Sequence, residues 1–133
     1  MPLNNPIAGM NLTSEFIVSG WPWLTASTVQ ANTTKRHSLS RIASSFAIKN
    51  ALTGSDSARA IAYGFTANGV AGSNRGTLVP GESFAGDFKF TELYVRSLTT
   101  SSIDYELAVS LTGVPANQLG VITGSAVGFD GVG

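Results

Sequence analysis

The chain contains no cysteine, a single histidine and little charge of either sign. Without cysteine it can form no disulfide, no thiolate metal site and no cysteine nucleophile. Only 12% of its 133 residues are charged, against about 25% in typical soluble domains. The eight basic and eight acidic side chains cancel, whereas nucleic-acid binding needs a basic surplus. We therefore expect no nucleic-acid partner, and a protein that works in contact with other proteins, because low charge favours association.

Long apolar runs and catalytic motifs are missing as well. No run reaches the roughly 18 apolar residues of a membrane span, and the first residues lack the charged and apolar regions of a signal peptide. His37 follows the cations Lys35 and Arg36, so we interpret it as a surface histidine with lowered basicity. Neither a phosphate-binding Gly-x-x-x-x-Gly-Lys-Ser/Thr loop nor a Gly-x-Ser-x-Gly elbow is present. The sequence predicts no membrane contact, no enzyme, no catalytic residue, no metal site and no cofactor.

The two ends of the chain are almost uncharged but rich in large apolar side chains. Residues 1–24 contain one ionisable side chain, Glu15, and residues 114–133 contain one, Asp130. Termini in water are usually polar, and disordered segments are typically charged and poor in aromatics. We therefore predict that protein covers both ends, either the chain's own domain or another subunit. The residues predicted to carry these subunit or capsid interfaces are Phe16, Ile17, Trp21, Trp23, Leu119, Val121, Ile122 and Phe129.

The middle of the chain is typical of β-structure. Residues 104–113 alternate large apolar side chains with polar or small ones, as in a strand with one face on a core. Turn signals such as Pro80-Gly81 separate further short strands at roughly ten-residue spacing. Residues 35–45 are the one stretch where a short helix or turn is predicted. This pattern favours an all-β fold, an antiparallel β-sandwich with a jelly-roll-like arrangement.

We divide the chain into one domain and two extensions. The predicted β-sandwich domain covers residues 25–115, with an N-terminal arm at 1–24 and a Gly-rich C-terminal arm at 116–133. Pro22 argues against a central strand near the first boundary, because proline lacks the N–H that a central strand must donate.

From Ala26 to Pro115 the order and spacing of features resemble those of small β-rich structural proteins of tailed bacteriophage heads. The resemblance covers about two thirds of the chain and contains no invariant chemical motif. The segments that carry it are Phe46-Ala47-Ile48-Lys49-Asn50, Ala62-Tyr63-Gly64-Phe65-Thr66, Leu78-Val79-Pro80-Gly81-Glu82-Ser83, Leu93-Tyr94-Val95-Arg96-Ser97 and Val109-Ser110-Leu111-Thr112-Gly113.

This resemblance implies a capsid decoration (cement) protein, a non-enzymatic viral structural protein of the virion. Such a protein binds the outside of the phage head and stabilises contacts between subunits of the major capsid protein, which would be its partner. It implies a homo-oligomer at the capsid surface, made in the cytoplasm of the bacterial host. A trimer is favoured over a dimer because capsids offer three-fold sites. Members of such families commonly use terminal extensions to reach neighbouring subunits.

Two other functions stay open. The chain could be a carbohydrate-binding module or a host-recognition head fibre if Trp21, Trp23, Tyr63 and Tyr94 formed one sugar-stacking platform. Packing in a core or interface is the favoured role for these rings, because Trp and Tyr dominate both settings. The other alternative is a minor head-completion or tail protein, which would form one ring per particle instead of a layer over the whole lattice.

Overall fold

The computed structural model describes residues 21–53 and 59–119 of the chain. These residues form seven strands, one short helix and one turn of 3₁₀-helix at Ala116–Gln118. The strands are β1 (Trp21–Val29), β2 (Thr34–Asn50), β3 (Ile61–Gly64), β4 (Gly76–Leu78), β5 (Ser83–Gly86), β6 (Phe90–Ser97) and β7 (Ile103–Pro115), and the helix is α1 (Ala67–Ala71). All of the strand pairs are antiparallel. The predicted all-β, antiparallel fold is confirmed, whereas the jelly-roll arrangement stays a prediction.

The strand β2 organises the sheet because it changes partners along its seventeen residues. The sheet order is β1-β7-β2-β6-β3-β4, with β5 also paired to β2. Residues 34–38 of β2 pair with β6, whereas residues 46–49 lie between β7 and β5. The register shifts between Ser38 and Ala43 and again between Ala43 and Ser45. Such bulges bend a strand and increase its twist. The two halves of β2 therefore contribute to two groups of strands, one with β1, β7 and β5 and the other with β6, β3 and β4, which meet across the core.

The predicted short helix or turn at residues 35–45 is wrong, since all of these residues belong to β2. His37 and Leu39 alternate inward as in a regular strand, but Ile42 and Ala43 are consecutive and both are buried. The bulges cause this break, because an extra residue shifts the side chains that follow to the opposite parity. A broken alternation of this kind hides a strand from a reading that looks for a period of two.

The core lies between the two groups of strands, with Phe46 of β2 at its centre. The Phe46 ring contacts the rings of Tyr63, Phe65 and Phe90 at centroid distances of 5.9, 5.8 and 5.4 Å, all close to edge-on. Edge-to-face pairs of this kind add stability beyond the area that they bury. The buried apolar residues of this cluster are Val29, Leu39, Ala43, Phe46, Ile48, Ile61, Leu78, Phe90, Leu93, Val95, Ile103, Tyr105, Leu107, Val109 and Leu111.

Two glycines behave as their sequence context indicates. Gly81 has φ of 86°, and the Glu82 N–H donates to the Val79 carbonyl at 2.9 Å, which closes the predicted Pro-Gly turn. Gly86 lies under aromatic rings: a Cβ atom added there would approach the Phe88 ring to within 2.6 Å. The ring explains why no larger residue fits at Gly86.

The structure describes part of each predicted arm. Residues 21–24 of the N-terminal arm belong to β1, so the sheet begins inside the range assigned to that arm. Residues 116–118 of the C-terminal arm form the 3₁₀ turn that follows β7. Residues 1–20 and 120–133 lie outside the described residues. Neither helical segment among the described residues is long and apolar enough to cross a lipid bilayer.

The side chain of Asn50, at the end of β2, hydrogen-bonds to the backbone of three separate residues. It is fully buried, and its Nδ2 donates to the carbonyls of Arg59 and Leu78, each at 3.0 Å. Its Oδ1 accepts from the Leu52 N–H at 3.2 Å. A single side chain therefore satisfies backbone groups in β4 and in the segments that flank residues 54–58.

We expect Asn50→Ala to lower the free energy of unfolding by roughly 2–3 kcal/mol, because buried backbone groups lose their partners. Urea unfolding followed by circular dichroism measures this change. The matched control is Asn117→Ala, at an exposed position of the 3₁₀ turn, where we expect almost no change. Equal stability of the two variants would contradict the fastening role of Asn50.

Candidate binding surface

The outer face of the group β1-β7-β2-β5 carries a row of small side chains. Strand register aligns Leu24 with Ala108, Ala108 with Ala47, and Ala47 with Ala85 across the four strands. These three alanines, which we call the alanine row, follow from the alternation of β7 and β2, whose opposite side chains enter the core. Leu24 at the end of the row is 74% exposed. The row forms the floor of a shallow groove between taller neighbours.

Polar residues border the alanine row on both sides. One bordering row places the acidic Glu106 opposite the basic Lys49 on adjacent strands, so this side has no net charge. The other bordering row has neither acids nor bases, but the acidic Asp87 lines the groove on that side. The first row consists of Ala26, Glu106, Lys49 and Ser83, and the second of Pro22, Ser110 and Ser45. The outer face is therefore apolar along the floor of the groove, with its charged side chains confined to the borders.

The strand β1 lies at the edge of the sheet, with β7 as its single partner among the described strands. The Asp104 carbonyl accepts from the Ala51 N–H at 2.9 Å, and the Ser110 carbonyl accepts from Ser44 Oγ at 3.4 Å. Both carbonyls of β7 thus point toward β2 and away from β1. Because the partners of Asp104 and Ser110 in β1 are Thr28 and Pro22, those two residues form the non-hydrogen-bonded pairs of the ladder.

The alternation along β1 then fixes which backbone groups face its open edge. Leu24 and Ala26 share the parity of Pro22 and Thr28. Their N–H and C=O groups therefore also point away from β7, within the plane of the sheet and toward its open edge. Pro22 fits this parity, because its missing N–H is on the open side and breaks no bond to β7. This agrees with the expectation that the residues around Pro22 do not form a central strand. The open edge thus offers the N–H and C=O groups of Leu24, Ala26 and Thr28.

The predicted interface residues fall into three groups. Trp21 is 58% exposed, with the Arg41 guanidinium 5.5 Å from its ring centroid. Trp23 is half-buried and packs edge-on against His37 at 5.6 Å. Leu119, just after the 3₁₀ turn, is half-buried. Phe16, Ile17, Val121, Ile122 and Phe129 lie outside the described residues. Leu24 and the alanine row were not predicted from the sequence. The period-two alternation of β7 was the pattern that indicated an outward face here.

The rings proposed as a sugar-stacking platform lie in separate places. Trp23 contacts His37, whereas Tyr63 stacks on Phe84 at 5.4 Å and also contacts Phe46. Tyr94 donates from its hydroxyl to Glu92 at 3.1 Å. These contacts tie the rings to different parts of the sheet and its core.

His37 is buried, so its interpretation as a surface histidine is wrong. The inward alternation of β2 places it in the core, where its Nε2 is 2.5 Å from the Tyr105 hydroxyl. Burial lowers the pKa of His37 below its ordinary value of 6.5, and the positive charge of Lys35 lowers it further. Burial also raises the pKa of the Tyr105 hydroxyl. The pair is therefore a neutral polar contact inside the core at pH 7, between β2 and β7.

Among the described residues, no cluster of three or more His, Asp or Glu side chains is placed to hold a metal ion. The described residues present three kinds of surface: the alanine row, the open edge of β1 and the exposed side chains of Trp21 and Leu24.

The comparisons with known proteins name no family for this chain. No family model and no curated protein matches it. Among solved structures it is similar to a de novo designed double-stranded β-helix, with 15% identity, a TM-score of 0.45, and coverage of 66% of this chain and 99% of that chain. It is also similar to PliG, a periplasmic inhibitor of g-type lysozyme from Aeromonas hydrophila, with 16% identity, a TM-score of 0.41, and coverage of 71% and 89%.

A third similar structure is from Bacillus endospore appendages, described as a novel family of disulfide-linked pili. It shares 15% identity and a TM-score of 0.36, over 71% of this chain and 92% of that chain. Identities and scores this low carry no argument about what this chain binds.

The buried His37 predicts a specific pH dependence of stability. Because its pKa is lower in the folded chain, the unfolded chain takes up the proton first as pH falls below about 6.5. The free energy of unfolding therefore decreases with falling pH, from about 6.5 down to the folded pKa, by at most about 1.4 kcal/mol per pH unit. Urea unfolding across this range measures the slope. The variant His37→Gln keeps a hydrogen-bonding group but cannot take up the proton, so its unfolding free energy should lack this pH dependence. If the unfolding free energies of both proteins fall in parallel with pH, the dependence does not come from His37.

Proposed function

We propose that this chain is a non-enzymatic structural protein that binds through its outer sheet face, in the form of a decoration protein of a bacteriophage head. The observation that carries the binding role is the alanine row of the outer face, with the exposed Leu24 at its end. Small side chains let a partner's backbone approach closely, while the exposed Leu24 at the end of the row supplies apolar area to bury. The phage assignment is supported by the sequence resemblance between Ala26 and Pro115.

The physical demands of a decoration protein agree with this surface. Such a protein stabilises a shell by adding contact area across the joints between shell subunits. Apolar burial contributes roughly 25 cal/mol per Å² before the costs of association. Many copies on one lattice add avidity, so each copy needs only a modest surface. The partner in this proposal is the major capsid protein, and the place of action is the outside of the virion.

Cosedimentation with heads of the phage whose genome carries the gene tests this role. We expect the full chain to bind such heads, stripped of decoration, and to form a lattice-wide layer visible by electron cryomicroscopy. Ala108→Arg places a long cation in the middle of the alanine row and should weaken binding about tenfold or more, as for residues at the centre of an interface. Circular dichroism checks that the variant is folded.

The matched control is Ala71→Arg, the same change at an exposed position of α1, which should bind like the unmodified chain. Equal binding of Ala108→Arg and the control would remove the alanine row from the contact. A single ring of copies per head would replace the decoration role with head completion. Failure to bind heads, together with binding on a glycan array, would favour the carbohydrate-binding alternative.

A further inference from the structure

Within the part of the chain that the structure describes, the open edge of β1 lacks the protection that edge strands usually have. Natural sheets guard long edges with charged side chains, bulges or very short strands. The other edge strands of this sheet are short, since β4 has three residues and β5 has four. By contrast β1 has nine residues, pairs with β7 without a register shift, and contains no charged side chain. Its one protective residue is Pro22, near the beginning of the strand.

The edge offers a regular set of backbone groups. The N–H and C=O groups of Leu24, Ala26 and Thr28 face outward, as the carbonyl directions in β7 require. Three such residues in succession are enough to form three hydrogen-bonded pairs with an incoming antiparallel strand, or about six hydrogen bonds. Hydrogen bonding is therefore the interaction that this edge is built to make.

A tight return of the same chain onto this edge is disfavoured by the first residues of β1. A two-residue hairpin loop ends on a residue that hydrogen-bonds to the returning strand. Trp21 has its backbone groups directed to β7, by the same alternation, and Pro22 has no N–H to donate. The edge therefore begins to offer donors at Leu24, well inside the strand, where a separate chain can reach them.

We infer that the open edge of β1 pairs with the β1 edge of a second copy of this chain, across a two-fold axis at Ala26. In that arrangement Ala26 lies opposite its own counterpart, and Leu24 lies opposite Thr28 of the other copy. Pairing two identical strands brings any charged side chains of both copies close together, where like charges repel; β1 contains no charged side chain. The inference goes beyond the proposed function and does not depend on the phage assignment.

The side chains on both faces of β1 suit this pairing. On the inner face Thr25 falls opposite Ser27 of the other copy, and Thr–Ser pairs across strands are favourable. On the outer face the alanine rows of the two copies lie on one continuous sheet face but are offset along the strands, because Leu24 faces Thr28 of the other copy and not its own counterpart. Leu24, 74% exposed in one copy, comes to lie beside the neighbouring strand. Dimerisation thus covers the exposed leucine and leaves the alanine row available for another partner.

Light scattering after size exclusion of the full chain, over a series of concentrations, tests the pairing. We expect a dimer that dissociates on dilution. Ala26→Pro removes an outward N–H from each copy while leaving the ladder to β7 intact, and should weaken the dimer at least about 30-fold. The matched control Ala26→Val keeps the N–H and favours a strand, so it should remain dimeric.

Hydrogen exchange followed by NMR identifies the occupant of the edge. The amides of Thr25 and Ser27 face β7 and should be protected at every concentration. Those of Ala26 and Thr28 should be protected in the dimer and exchange quickly in the diluted monomer. Protection of Ala26 in a monomer would assign the edge to the chain's own terminal residues and overturn the inference.

Two further outcomes count against it. A full chain that stays monomeric at all concentrations excludes the pairing, and so does an oligomer that Ala26→Pro leaves unchanged. A trimer unaffected by this substitution would instead agree with the three-fold sites considered from the sequence. A dimer that binds no phage heads would refute the proposed function alone, because the two experiments alter different residues.

Discussion

The fold depends on one long strand, β2, which must pair with two groups of strands at once. The first half of β2 pairs with β6, and its second half lies between β7 and β5. The bulges between Ser38 and Ser45 bend the strand so that Phe46 meets Phe65 and Phe90 in the core. Straightening β2 would pull these halves apart and expose the aromatic cluster.

The same bend explains the polar pair in the core. His37 is on the first half of β2, and Tyr105 is on the strand that flanks the second half. Their contact therefore joins the two groups of strands, with Trp23 packed against the imidazole. A buried polar group needs a partner, and this pair supplies one to each member. This contact requires a fixed orientation of its two groups, whereas the apolar contacts in the rest of the core do not.

The regular parts of the fold could be predicted from the sequence, and the bent parts could not. The strict alternation around Tyr105 indicates β7, and Pro80 followed by Gly81 indicates the turn that the structure contains. Residues 35–45 were misread because bulges put Ile42 and Ala43 side by side in the core. The environment of His37 depends on strands distant in sequence, so its local neighbours Lys35 and Arg36 gave a misleading impression of a solvated loop. Leu24 and the alanine row become a surface only once the register of four strands is known.

The unequal lengths of the sheet edges limit how many copies of the chain can join by edge pairing. A molecule with two long, open edges can add copies at both sides and extend into a fibre, as amyloid-prone sheets do. Here one end of the sheet is the nine-residue β1, and β4 at the other end has three residues. A molecule with one adhesive edge can join one other and then has no equivalent site left. The short strand β4 therefore offers too little edge for a further copy, which keeps a sheet with an uncharged, open β1 edge from polymerising.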